Sequence, residues 1–186
     1  MPYIQIDAPQ YTQLADPVHR ERVKQEGWDP DQAIDEAIAA DRICLQDIRG
    51  PGRTVRPHLC RGNIAGRWLA EGGYDPIAEK LFNAFEVDRI LMEYDSERSG
   101  SFAPLRFVPR GTLVVLGLVT TKEPRLEAQD DLLRRIEDAA RYVPIENLAL
   151  SPQCSFATQA QGNPLSMDDQ RRKLELIVET ARKVWP

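Results

Sequence analysis

The spacing of apolar positions changes several times along the chain. PYIQIDAP is a short apolar run ended by Pro9, and it reads as a strand. In DPDQAIDEAIAADR (29–42), Ala33, Ile34, Ala37 and Ile38 form one stripe, Asp29 can cap and Pro30 suits a first turn. That pattern predicts a helix. RTVRPHLC (53–60) follows as a strand running into a turn at Gly62. YDPIAEKLFNAF (74–85) repeats the cap logic with Asp75 and Pro76 and buries Ile77, Leu81, Phe82 and Phe85. RILMEYD (89–95) is a third strand, and GTLVVLGLVTTK (111–122) a fourth, apolar on both faces like a buried parallel strand. LEAQDDLLRRIEDAARYV (126–143) reads as a helix and ENLALSPQC (146–154) as the fifth strand. SMDDQRRKLELIVETARKVW (166–185) closes as a helix, with Ser166 and Asp169 in a capping box and Leu174, Ile177, Val178, Ala181 and Val184 predicted to face inward.

Strands that alternate with helices predict an α/β fold of parallel β/α repeats with right-handed crossovers. A closed eight-stranded barrel typically needs about 250 residues, so five strands make part of one. No linker, low-complexity tract or charge block divides residues 1–186, and one domain is expected.

Composition narrows the function classes. The chain has 186 residues, a formal charge of -5 and 42% hydrophobic residues, ordinary for a soluble globular protein. Its acidic balance speaks against a general nucleic-acid or membrane-surface binder, and no apolar run approaches a bilayer span. MPYIQID has no signal-peptide features. Three cysteines make no disulfide framework, so a reducing cytoplasm is the expected setting.

The chemistry centres on HLCRGN. Residues two apart on a strand share a face, so His58 and Cys60 can reach one ion. Glu93 in LMEYD and Cys154 in SPQC also lie at strand ends, which converge on one rim in parallel α/β folds. Nitrogen, sulfur, oxygen and sulfur donors suit tetrahedral zinc. The spacing alone fits equally well a satisfied buried histidine, two small core cysteines and an exposed carboxylate.

HLCRGN, LMEYD, GLVTTK with EPRLE, and LALSPQC, in that order, resemble the C-terminal catalytic barrel of cobalamin-independent methionine synthase and its shorter relatives. The resemblance covers nearly the whole chain and implies roughly the last five strands of that eight-stranded barrel. It implies a catalytic zinc on His58, Cys60, Glu93 and Cys154, with methyl transfer to homocysteine held as a thiolate. Glu93, the hardest donor, is the ligand expected to yield its place. YIQIDAP is similar to the family's QIDEP segment, which makes Asp7 the contact for the homocysteine amino group; the glutamate that follows it in the family is Ala8 here.

In the folate-using members a histidine attends the leaving group. Its place falls on Lys122, a poor general acid at its unperturbed pKa. The donor is therefore a methyl-folate or a corrinoid protein. An epoxide joined to coenzyme M, or a non-catalytic zinc-bearing fragment, are the alternative readings. Arg61 follows Cys60 on the rim and could hold a substrate carboxylate, sulfonate or phosphate. Asp95 is placed to support His58. Arg49 and Arg53 read as loop arginines, His19 as a surface residue, Cys44 as a core thiol, and Trp68 and Trp185 as helix packing. Two open sheet edges and an apolar inner face predict association with itself or with a partner chain that supplies the missing strands.

Overall fold

The computed structural model describes residues 2–46, 48, 50–157 and 159–186, so Arg49 lies outside the described residues. Five strands form one sheet: β1 (Tyr3–Asp7), β2 (Thr54–Leu59), β3 (Arg89–Glu93), β4 (Leu113–Val119) and β5 (Leu148–Pro152). Every neighbouring pair is parallel, and the spatial order is β1-β2-β3-β4-β5. A doubly wound sheet reverses its order at a switch point. A sheet that adds each strand beside the last in one direction is an arc of a (β/α) barrel, as the sequence predicts.

Among the described residues six α-helices accompany the sheet: α1 (Pro9–Ala15), α2 (Pro17–Gln25), α3 (Pro30–Gln46), α4 (Asp75–Ala84), α5 (Gln129–Ala140) and α6 (Met167–Val184). The sequence reading missed α1 and α2. Pro9 was expected only to stop a strand, but a proline without its N–H also starts a helix well. Asp16 caps α2, its carboxylate accepting from Val18 N at 2.8 Å and His19 N at 3.3 Å. No residue of α2 is buried, so it has no apolar stripe to read.

Paired residues of parallel strands share a face. Val55, Leu59, Ile90, Met92, Val114, Leu116 and Leu148 turn to the helices and join the main core with Ile34, Ile77, Leu81, Ile136 and Leu176. The opposite, inner face carries the paired tier Asp7, His58, Leu91, Val115 and Ala149. The expected apolar inner side of β1 is corrected here. Ile6 packs on the helix-side core, and Tyr3, Gln5 and Asp7 form the other, exposed side. The Tyr3 hydroxyl accepts from Arg56 at 3.0 Å and Arg89 at 3.1 Å.

Other details also differ. The Ser166–Asp169 capping box forms, but α6 buries Lys173, Leu176, Ile177 and Thr180, while Leu174 and Val178 are 41% and 46% exposed. Distant partners allow this: the Lys173 ammonium reaches Arg125 O and Glu127, and Thr180 bonds Leu176 O and Gln129. Asp75 is already inside α4, whose N-cap Tyr74 makes no side-chain cap bond. Cys44 is exposed rather than core. Trp68 lies in a loop, not a helix, beneath the Arg98 guanidinium.

Candidate metal centre

Three strand ends bring four donors together. His58 is the penultimate residue of β2, Cys60 follows that strand, Glu93 ends β3 and Cys154 follows β5. One ligand atom from each lies within 4.8 Å of those of the others. The Cys60 and Cys154 sulfurs are 3.8 Å apart, and His58 Nε2 is 3.5 Å from Glu93 Oε1.

These separations decide between two uses of the cysteines. A disulfide would hold the sulfurs at about 2.05 Å. Two thiolates about 2.3 Å from a tetrahedral zinc stand about 3.8 Å apart, and nitrogen and oxygen donors at about 2.0–2.2 Å stand about 3.3–3.5 Å apart. The sulfur pair and the nitrogen–oxygen pair, two of the six donor–donor edges, have the lengths found in a four-coordinate zinc site. The donor set fits the ion.

His58 is oriented for the same task. Its Nδ1–H donates to Asp7 Oδ1 at 2.9 Å, which leaves Nε2 turned to the cluster. The expected partner Asp95 instead pairs with Arg98, because the chain leaves β3 after Glu93 and strand alternation ends there. Glu93 is fully buried, not the exposed carboxylate of the bland reading. Tyr74 clamps its backbone: the hydroxyl donates to Glu93 O at 3.1 Å and accepts from Glu93 N at 3.0 Å. Arg61 N donates to Oε1 at 3.2 Å, and Gln153 Nε2 donates to Oε2 at 3.1 Å.

The ionisable groups of the cluster set one another's charge. Burial opposes a charge on His58, but Asp7 and Glu93 outweigh it and push its pKa up to about 10. The hydrogen bond from Cys60 stabilises the Cys154 thiolate, whose pKa falls to about 7. Cys60 keeps its proton for the converse reason, its pKa raised by that bond and by burial. Burial works against the Glu93 carboxylate, yet His58, Lys122 and Gln153 hold its pKa below the ordinary value.

Three of the donors, His58, Cys60 and Cys154, line a cavity of about 420 Å³ together with Gln5, Asp7 and Gln153, and Glu93 lies behind its wall. Asp7 faces it with a side chain 58% exposed. Arg61 and Lys122 are not in its wall. Arg61 is fully buried, its guanidinium 4.4 Å over the Tyr74 ring. Lys122 is buried with Nζ 3.9 Å from Glu93 Oε2. Burial lowers its pKa, against the pull of Glu93. A hollow of about 480 Å³ on α6 is lined by Met167, Leu174, Val178 and charged neighbours, and has no converging donor set.

Gln153, Tyr74 and Gly117 were missed by the sequence reading. A Cβ on Gly117 would stand 2.7 Å from Gln153 Cα and 3.0 Å from Met92 O. Only glycine lets the shifted register of β5 bring Gln153 in this close. The sole signal in the sequence was that Gln153 adjoins a candidate ligand.

A family model described as "Cobalamin-independent synthase, Catalytic domain" matches residues 3–183. The uncharacterized protein YxjG of Bacillus subtilis is 42% identical over 184 residues, which are 98% of this chain and 48% of that protein. A 5-methyltetrahydropteroyltriglutamate–homocysteine methyltransferase of Bacillus velezensis is 22% identical over 152 residues, 82% of this chain and 18% of that one. Among solved structures, a Listeria monocytogenes protein assigned as a vitamin-B12 independent methionine synthase aligns with a TM-score of 0.75 and 31% identity, over 100% of this chain and 49% of its own. A B12-independent methionine synthase from Shewanella sp. W3-18-1, in complex with selenomethionine, shares the fold at a TM-score of 0.69 and 21% identity, over 99% of this chain and 48% of that one. The chain spans about half the length of YxjG.

Proposed function

The chain belongs to the family of cobalamin-independent synthase catalytic domains, and from that membership we propose that its four-donor cluster is the zinc centre of an S-methyltransferase that converts homocysteine to methionine. The observation that carries this reading is the pair of edge lengths, 3.8 Å between the sulfurs and 3.5 Å between His58 Nε2 and Glu93 Oε1.

His58, Cys60, Glu93 and Cys154 would hold the ion. Zinc bound there would lower the pKa of the acceptor thiol, so that its sulfur is nucleophilic at neutral pH. Two thiolates and a carboxylate leave the site electron-rich, which preserves that nucleophilicity. Asp7 has two tasks: it fixes the His58 tautomer and offers its exposed carboxylate to the substrate ammonium. The neighbouring Ala8, 1% exposed, cannot share the second task.

The methyl donor is a methyl-folate or a corrinoid protein. Lys122 is turned to Glu93 and absent from the cavity wall, a placement that favours the corrinoid. Assays with both donors, and with an epoxide and coenzyme M, identify it. No helix among the described residues is long and apolar enough to cross a membrane, in keeping with the cytoplasm as the site of the reaction.

Metal analysis after dialysis tests the centre. The wild-type chain should hold one zinc. Cys154→Ser should weaken binding by more than the roughly 10–100-fold of an outer-shell change, and Glu93→Gln should keep most of the metal. Full zinc occupancy in Cys154→Ser would overturn the assignment.

A further inference from the structure

We infer that Gln153 is a positioning residue that anchors the outer oxygen of Glu93 and holds that carboxylate when substrate sulfur takes its place; this rests on the zinc reading above.

Gln153 is 2% exposed and directly precedes Cys154. Its Oε1 accepts from Thr121 N at 3.1 Å and from the Thr121 hydroxyl. A backbone N–H can only donate, so the amide carbonyl must face Thr121. The amide NH₂ is thereby turned to Glu93 Oε2, 3.1 Å away. Chemistry, not choice of amide flip, fixes this orientation.

The two oxygens of Glu93 have different surroundings. Oε1 faces His58 Nε2 at 3.5 Å, on the donor side, and accepts from Arg61 N at 3.2 Å. Oε2 faces Gln153 and, at 3.9 Å, the Lys122 ammonium. The carboxylate thus turns one oxygen, steadied by the Arg61 N–H, to the cluster, and is held through the other by the Gln153 side chain. At 0% exposure it has no solvent to turn to if it leaves. A carboxylate that shares its charge with a cation is a weaker acceptor than a free one. The Gln153 N–H therefore stabilises the departed carboxylate more than the ligated one; without it the buried anion keeps the Arg61 N–H on Oε1 and the more distant Lys122 ammonium but loses its hydrogen bond on Oε2, which disfavours the departed form. Removing the donor should hinder sulfur entry far more than metal binding.

The test uses the full 186-residue chain with Co(II) in place of zinc, titrated with homocysteine. Thiolate-to-cobalt charge-transfer absorbance reads sulfur entry. Gln153→Met keeps the side-chain shape without the donor. We expect Co(II) affinity within about threefold of wild type and homocysteine affinity about tenfold weaker, the lower bound typical of outer-shell changes. Gln153→Glu puts an acceptor where the donor stood and should weaken homocysteine further. Homocysteine affinity equal to wild type in Gln153→Met overturns the inference and leaves the zinc reading intact. Loss of Co(II) itself in Gln153→Met makes Gln153 a packing requirement and also overturns it. A wild-type chain that binds no Co(II) overturns the zinc reading, and the inference with it.

Discussion

His58 sits between two carboxylates, Asp7 at 2.9 Å and Glu93 at 3.5 Å, and keeps its proton well above neutrality as a result. That proton must leave before Nε2 can bind a cation. The His58 pKa is about 10 and that of Cys60 is raised, so both groups are protonated between pH 6 and pH 8. Cys154, at about 7, changes state within that window. Zinc binding should release about three protons at pH 6 and about two at pH 8, with apparent affinity rising with pH. Calorimetry in buffers of different ionisation heat measures this. Release of a single proton at both pH values would contradict the coupling. That strand ends in a parallel sheet converge made the meeting of His58, Cys60, Glu93 and Cys154 legible, but only the family resemblance singled these four out as candidate ligands. Their supports were not legible: the two-residue step that links His58 to Cys60 pointed equally to Asp95, and only the turn after β3 removes it.

At the scale of elements, helix ends were easier to read than helix faces. Ser166 and Asp169 identify the start of α6 because capping is local chemistry. Ser166→Ala should cost about 1 kcal/mol, a fall in Tm of about 2–4 °C for a chain of this size. Asp169 is held down to about 2 by the Ser166 hydroxyl and backbone N–H and by Arg172. A depressed carboxylate contributes stability above its ordinary range and loses it as pH falls towards that value. The gap between Ser166→Ala and wild type should therefore narrow between pH 4 and pH 2 in thermal melts, and a gap independent of pH would argue against the box. The buried face of α6 was misread by about one residue. Lys173 enters the interior only because Glu127 and Arg125 O lie across the fold, and periodicity carries no trace of partners that distant.

For the molecule as a whole, the alternation of elements made the parallel arc legible, but not the polarity of its inner face at β1. Tyr3 of β1, with Arg56 of β2 and Arg89 of β3, makes that face polar at one corner, while Leu91, Val115 and Ala149 keep it apolar along β3, β4 and β5. The free edges of β1 and β5 remain, together with exposed Met167, Leu174 and Val178 on α6. We still expect the isolated chain to self-associate or to take a partner along those edges. Native mass spectrometry at low micromolar concentration tests this, and a cooperative, fully active monomer would refute it. The donor cluster has a further consequence for the chain's topology. Cys60 and Cys154 are 94 residues apart, on strands separated by two others. An ion shared between them ties off a long loop of the unfolded chain, as a disulfide would, and a covalent tie around a loop of that order contributes about 4–5 kcal/mol by chain entropy alone. On the zinc reading the ion would then also be a clasp: chelation should lower Tm and let β5 and α6 exchange their amide hydrogens together, ahead of the rest of the sheet.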